Sequence, residues 1–443
     1  MRVPQVTTSR LPNGPAISLV EQRELPLVQI TLQIAGGGRL DNEMPGLATF
    51  TASLLDEGAD KRDANALKAE LASLGASLNT GASWDFTTIS LKVARRNLEA
   101  ALDLMADVVL RPTFAAAEVQ RQRDLRLAAL LQEKNQPKAL AGLAFNQLQF
   151  PEGHPYHNPL GGDSLSTANL DSATVREFHR AGLRPQRATF YVVGDLSATE
   201  ATRLIGARFG QWTARGAERR PAPVLVQPTR VQGRKIVLVD KPGAEQSVII
   251  IGAPGVERTN ADYAAIEVMN TILGGTFSSR LNTNLRETKG YGAGAESGFG
   301  WHPLPGAFTA SSSVRTSVTD SALVEFFREL KAIREVPVDP AELERAKAHL
   351  LLAVPRDLDS TSQIMAEMAG LAAFNLTFES LVDYVQRVSR VTPADVQRVA
   401  QRYVPEQNGL IVVVGDLAQI RASIEALDLG EITTRDVALI ARE

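Results

Sequence analysis

The chain has 443 residues, 44% of them apolar, with 47 Lys plus Arg against 50 Asp plus Glu and a net charge of -3. Such a length exceeds what one hydrophobic core usually organises, and the near balance of charge offers no long-range positive field toward nucleic acid or an anionic membrane. There is no run of about 18 apolar residues to span a membrane as a helix, and the lack of cysteine excludes disulfides and thiolate metal sites while leaving the compartment open.

In chain order, Met1-Arg2-Val3-Pro4-Gln5-Val6 lacks the apolar core of a signal peptide. Val28, Ile30, Leu32 and Ile34 alternate with Gln29, Thr31 and Gln33, which predicts a strand with one wet face, and Ile89-Ser90-Leu91-Lys92-Val93 behaves likewise. Leu98, Leu102, Met105 and Val109 then recur at helical spacing, as do Leu323, Phe326, Leu330 and Ile333 in the second half. Gly36-Gly37-Gly38 and Gly274-Gly275 fit neither the P-loop order nor the Rossmann spacing, so they are expected to serve turns and close backbone approach. The stretch from Thr213 to Pro223 mixes charge, Gly and Pro without an apolar period and reads as an exposed linker.

The chain also repeats itself. Ile17-Ser18-Leu19-Val20-Glu21 returns as Ile236-Val237-Leu238-Val239-Asp240, Ala117-Glu118-Val119-Gln120-Arg121 as Ala341-Glu342-Leu343-Glu344-Arg345, and Val192-Val193-Gly194-Asp195-Leu196 as Val413-Val414-Gly415-Asp416-Leu417. Three matches in order at nearly one offset imply a duplicated unit. The expected fold is α+β: two homologous lobes, each a mostly antiparallel sheet covered by helices on one face. The expected division is an N-terminal lobe over 1–213, a linker over 214–230 and a C-terminal lobe over 231–443.

Several strings, weak singly, resemble in their order and spacing the family of pitrilysin and the mitochondrial processing peptidase. They are Leu11-Pro12-Asn13-Gly14, the loop Ala35 to Asp41 followed by Gly46-Leu47-Ala48, His154-Pro155-Tyr156 with Gly161-Gly162, the run Gly274 to Leu281, and Leu285-Arg286-Glu287-Thr288-Lys289-Gly290-Tyr291. The resemblance covers nearly the whole chain and points to the bacterial half-length members. It implies a metallopeptidase helix bearing an inverted HxxEH motif, two His at i and i+4 holding zinc beside a catalytic Glu. Thr49, Ala52 and Ser53 stand at those three places, and Ala129 stands where the family carries a third ligand, a Glu. Thr and Ser hydroxyls are poor zinc ligands and Ala has no proton acceptor, so no catalytic residue and no metal are expected in this chain.

The five histidines offer no substitute site. His154 and His157 flank Pro155 in an expected loop, His179 lies on a predicted helix as a packing or rim residue, and His302 and His349 have no His or acidic neighbour at ligand spacing. The resemblance does imply substrate-binding roles for an Arg and a Tyr in a strand region of the second lobe. Arg286 matches the Arg, whereas the Tyr position is Ala293, with Tyr291 two residues early. On a strand Tyr291 would keep the same face, displaced about 6 to 7 Å along the chain.

The resemblance therefore implies a non-catalytic, peptide-binding subunit of a heterodimer that encloses its substrate in a two-lobed chamber. Its partner would be a homologue with an intact HxxEH motif, which supplies the zinc and carries out proteolysis. The alternatives are an assembly subunit like the core proteins of the respiratory bc1 complex, or a peptide-binding protein acting alone. The expected location is the periplasm of a bacterium, with the cytoplasm as the alternative.

Overall fold

Val28, Ile30, Leu32 and Ile34 all point into one core, as their alternation with polar residues requires. In the computed structural model, which describes residues 2–221, 224 and 226–437, the strand that carries them, Leu27–Ala35, lies inside a six-stranded sheet. The spatial order of that sheet is Thr7–Arg10, Ala16–Glu21, Ala188–Gly194, Leu27–Ala35, Phe86–Ala94 and Ser77–Ala82. A second six-stranded sheet runs Glu431–Arg435, Arg234–Asp240, Gly409–Gly415, Gln246–Pro254, Ala307–Arg315 and Gly292–Phe299.

The duplication is visible in the register. Ala16–Glu21 pairs in parallel with Ala188–Gly194, aligning Leu19 with Val192 and Glu21 with Gly194. Arg234–Asp240 pairs in parallel with Gly409–Gly415, aligning Leu238 with Val413 and Asp240 with Gly415. These are the repeated strings, matched residue for residue. The two sheets differ in their edge strands: Thr7–Arg10 runs antiparallel to its neighbour, and Glu431–Arg435 parallel.

The fold is α+β with mostly antiparallel sheets, as expected, and each sheet also carries a helix on its second face. The first compact unit comprises residues 1–129, 158–223 and 355–379, and the second 130–157, 224–354 and 380–443. The contiguous division read from the sequence does not describe these units, because each half of the chain lends a helix to the other half's sheet. Helix Thr361–Ala372 packs on Ala188–Gly194 and Leu27–Ala35, on the polar face, where the Ser362 hydroxyl donates to Gln29 Oε1 at 3.0 Å and Lys92 Nζ donates to Ser362 Oγ at 2.9 Å. Helix Pro137–Gln149 packs on Gln246–Pro254 and Gly409–Gly415, and its Phe145 ring lies over Gly252. A Cβ on Gly252 would stand 2.4 Å from that ring, so only glycine permits the approach.

Within the expected linker, Ala222, Pro223 and Leu225 lie outside the described residues, and the rest forms no helix or strand. The linker's start is exposed but anchored to the first unit. Arg219 donates to the carbonyls of Leu40 and Asp41, the latter at 2.8 Å, and Arg184 donates to Gly216 O at 2.7 Å.

Candidate functional site: a helix without metal ligands

Helix Leu47–Leu54 begins at Gly46, whose φ of 87° and contact with Gly162 leave no room for a side chain. Its first amides are satisfied from a distance: Asp41 Oδ2 accepts from Gly46 N at 2.8 Å and Oδ1 from Ala48 N at 2.7 Å. Burial pushes the Asp41 carboxyl up to about 7, against the opposing pull of those amides and of Arg219.

Thr49, Ala52 and Ser53 share one face of this helix. The Thr49 hydroxyl is shared between the Gly46 and Leu160 carbonyls at 2.9 and 3.0 Å, and the Ser53 hydroxyl donates to Phe50 O at 2.9 Å. Ala52 is fully buried. Thr49 and Ser53 border a depression of about 340 Å³ that is also lined by Gln122, Leu125, Arg126 and Gly161. Arg126 Nε donates to Gly161 O at 2.9 Å. Ala129 follows Arg126 by three residues on helix Ala116–Lys134 and so lies on the same face.

The chemistry of this donor set is unsuited to zinc. Two hydroxyls have committed their protons to main-chain carbonyls, two methyl groups offer nothing, and a guanidinium repels a dication. Among the described residues, no group of three or more His, Cys, Asp or Glu is placed to hold a metal. The sequence singled out Thr49, Ala52, Ser53 and Ala129 but not Arg126 or Asp41, whose contacts with Gly161 and with the helix start depend on the fold.

Three of the histidines have a ring nitrogen engaged with the main chain. His154 is buried, stacks on Phe150, and its Nδ1 accepts from Tyr156 N at 3.1 Å; His157 Nδ1 donates to Phe150 O at 2.7 Å. His179 Nε2 donates to Val109 O at 2.8 Å, and burial lowers its pKa. His302 packs against the Tyr156 ring, and His349 is exposed.

The second-unit positions require a correction. Arg286 is not in a strand region; it lies in a π-helical turn, Thr283–Thr288, that continues the short helix Arg280–Asn282. Tyr291 precedes strand Gly292–Phe299, after Gly290 at φ 61°. The ladder slips between Gly292 and Ala295, so a bulge interrupts the alternation that was to place Tyr291 and Ala293 on one face. Tyr291 packs partly against the core of its own unit. The Arg286 guanidinium pairs with Glu287 and lies 3.3 Å from the centroid of the Phe277 ring, which is 73% exposed. Phe277 was not singled out from the sequence, although a lone aromatic among Gly, Thr and Ser in Gly274 to Ser279 is a visible signal.

Two sheets in equivalent register, with Thr49, Ala52 and Ser53 at the ligand positions of the metal-motif helix, define an α+β chain of the two-lobed zinc-peptidase class. The family profile described as "Insulinase (Peptidase family M16)" matches residues 17–149, and that described as "Peptidase M16 inactive domain" matches residues 169–350. The chain belongs to this peptidase family. It is 25% identical over 369 residues to an uncharacterized zinc protease of Mycobacterium leprae, covering 83% of this chain and 82% of that one. It is 23% identical over 437 residues to a probable mitochondrial-processing peptidase subunit beta of Arabidopsis thaliana, covering 95% and 80%. Among solved structures it is similar to a peptidase M16 inactive domain from Pseudomonas fluorescens, with a TM-score of 0.85, 27% identity, and coverage of 93% and 98%.

Proposed function

We propose that this chain is the zinc-free, substrate-binding subunit of a heterodimeric metallopeptidase, closing around peptides together with a homologue that retains HxxEH. The single observation that carries this reading is Arg126 beside Thr49 and Ser53 in the depression where the family's metal ligands belong. A chain that had lost one ligand by drift would keep its other ligands; this one holds a fixed cation there instead. Catalysis belongs to the partner's metal and Glu, and this chain contributes chamber wall and peptide contacts. Arg286 is the proposed contact of the second unit, its guanidinium oriented by the Phe277 ring and presented toward a peptide carbonyl or carboxylate. Tyr291 is the second proposed contact, and the periplasm is the proposed location.

The test mixes the purified chain with its zinc-bearing homologue and follows cleavage of a quenched fluorescent peptide. The expected result is no chelator-sensitive hydrolysis by this chain alone, activity in the mixture, and reduced turnover with Arg286→Ala at unchanged assembly. Stoichiometric zinc with turnover in the isolated chain would refute the reading. Full activity of the homologue without this chain would make the subunit role untenable.

A further inference from the structure

A second cavity, of about 660 Å³, lies wholly within the first unit and shares no lining residue with the depression over Thr49. Arg111, Arg176, Arg180, Arg208 and Arg215 line it, and among the described residues no Asp or Glu does. Three of these cations are compensated from outside the cavity: Arg111 by Asp107 and Asp60, Arg180 by Glu177, and Arg208 by Asp103 and Glu99. Two are not. Arg176 donates to the main-chain carbonyls of Thr113 and Phe114 at 2.7 and 2.9 Å, and Arg215 forms no ion pair among the described residues. A chain of net charge -3 thus concentrates two uncompensated positive charges at one cavity.

The same wall is strained. Phe114 stands at φ 45°, a left-handed conformation unfavourable for a bulky side chain, and its carbonyl accepts from Arg176. Burial lowers the pKa of His179, also on the wall, against the opposing hydrogen bond to Val109 O, and Arg215 lowers it further. The other half of the lining is apolar, including Leu110, Phe114 and Leu183. A bare oxyanion would leave that half unused. A ligand matching both halves carries two anionic groups on an apolar body.

We infer that this cavity binds an acidic peptide segment in which two carboxylates flank an apolar side chain. The carboxylates fork onto Arg176 and Arg215, whose guanidinium groups retain N–H donors, and the apolar side chain lies against Leu110, Phe114 and Leu183. The choice of a peptide among dianions of this shape rests on the proposed function above. The site itself stands on the cavity, its five arginines and the missing carboxylates.

The experiment uses the intact chain without a partner. Fluorescence anisotropy is measured with a labelled hexapeptide carrying two glutamates around a leucine, with the same peptide carrying glutamines, and with inorganic phosphate as competitor. Saturable binding is expected for the glutamate peptide alone, weakening with added salt, and roughly tenfold weaker in Arg215→Gln, which removes one of the two charged partners. Arg215 is exposed, so this variant is expected to keep its circular dichroism spectrum and melting temperature. Absence of binding, equal binding of the glutamine peptide, unchanged affinity in Arg215→Gln, or displacement by phosphate at peptide concentration would each overturn the inference. Failure here leaves reconstitution with the zinc-bearing homologue unaffected, and failure of reconstitution leaves this binding curve unaffected.

Discussion

Arg126 donates through Nε to the Gly161 carbonyl at 2.9 Å, and a Cβ on Gly161 would stand 2.5 Å from the same guanidinium. The absence of a side chain at Gly161 is what lets a cation lie beside the ligand-free helix. Restoring the motif alone, by Thr49→His, Ala52→Glu and Ser53→His, is therefore expected to leave the protein without stoichiometric zinc. The guanidinium remains, and the third ligand, a carboxylate at the position of Ala129, is not supplied. Ala52 is also fully buried, so a Glu there is overpacked by about 1 to 3 kcal/mol. Adding Arg126→Ala and Ala129→Glu should raise the zinc content, measured by mass spectrometry of dialysed protein. A full equivalent of zinc in the triple variant would show that Arg126 is no obstacle.

Asp41 ties the loop before this helix to the helix amides, and its pKa is raised from 3.8 to about 7. A raised acid pKa means that the folded state holds the proton more tightly than the unfolded chain does. The stability this proton confers is fully present below 3.8 and is lost as pH rises through about 7. Urea unfolding of wild type and Asp41→Asn across that window should show the wild type losing its relative advantage as pH increases, by about 1.4 kcal/mol per pH unit between the two values. Parallel pH profiles for the two proteins would mean that Asp41 titrates at its ordinary value.

Much of this was legible in the sequence because it rests on local periodicity. The alternation from Val28 to Ile34 gave the strand and its core face, and the matched strings Ile17 to Glu21 and Ile236 to Asp240 proved to be equivalent strands in the same parallel register. The fixed spacing of a metal motif exposed Thr49, Ala52 and Ser53. What stayed hidden depends on tertiary placement. Nothing in the period of Pro137–Gln149 or Thr361–Ala372 says which sheet each covers, so a contiguous division was the natural and incomplete reading. The turn around Arg286 was misread as strand because its helical bonding is irregular. Gly290 and Gly292, which bracket Tyr291, were the available warning of a break.

Phe277 is expected to orient Arg286 without supporting the core, since its ring is largely exposed while the guanidinium lies 3.3 Å from the ring centroid. Phe277→Ala should destabilise by no more than about 1 kcal/mol, the size of the lost cation–π contact itself. A double-mutant cycle with Arg286→Ala, read by urea unfolding, should give a coupling of about 0.5 to 1 kcal/mol, as for an exposed cation–π contact. Zero coupling would mean that the pair does not form in solution and that Glu287 alone positions the arginine.

Gly252 tests the exchanged helix. Its missing side chain admits the Phe145 ring from helix Pro137–Gln149, and a Cβ there would meet Phe145 Cζ at 2.4 Å and the Phe308 carbonyl oxygen at 2.6 Å. The ring is at the far end of a side chain and can be trimmed; the carbonyl belongs to a central strand and cannot easily move. Gly252→Ala should therefore destabilise the protein by about 1 to 3 kcal/mol, the usual range for overpacking. Adding Phe145→Leu should recover part of that loss and not all of it, because the carbonyl contact persists. Thermal unfolding of the two variants decides the matter. Complete recovery would assign the whole clash to the ring, and no recovery would show that the helix does not seat on Gly252.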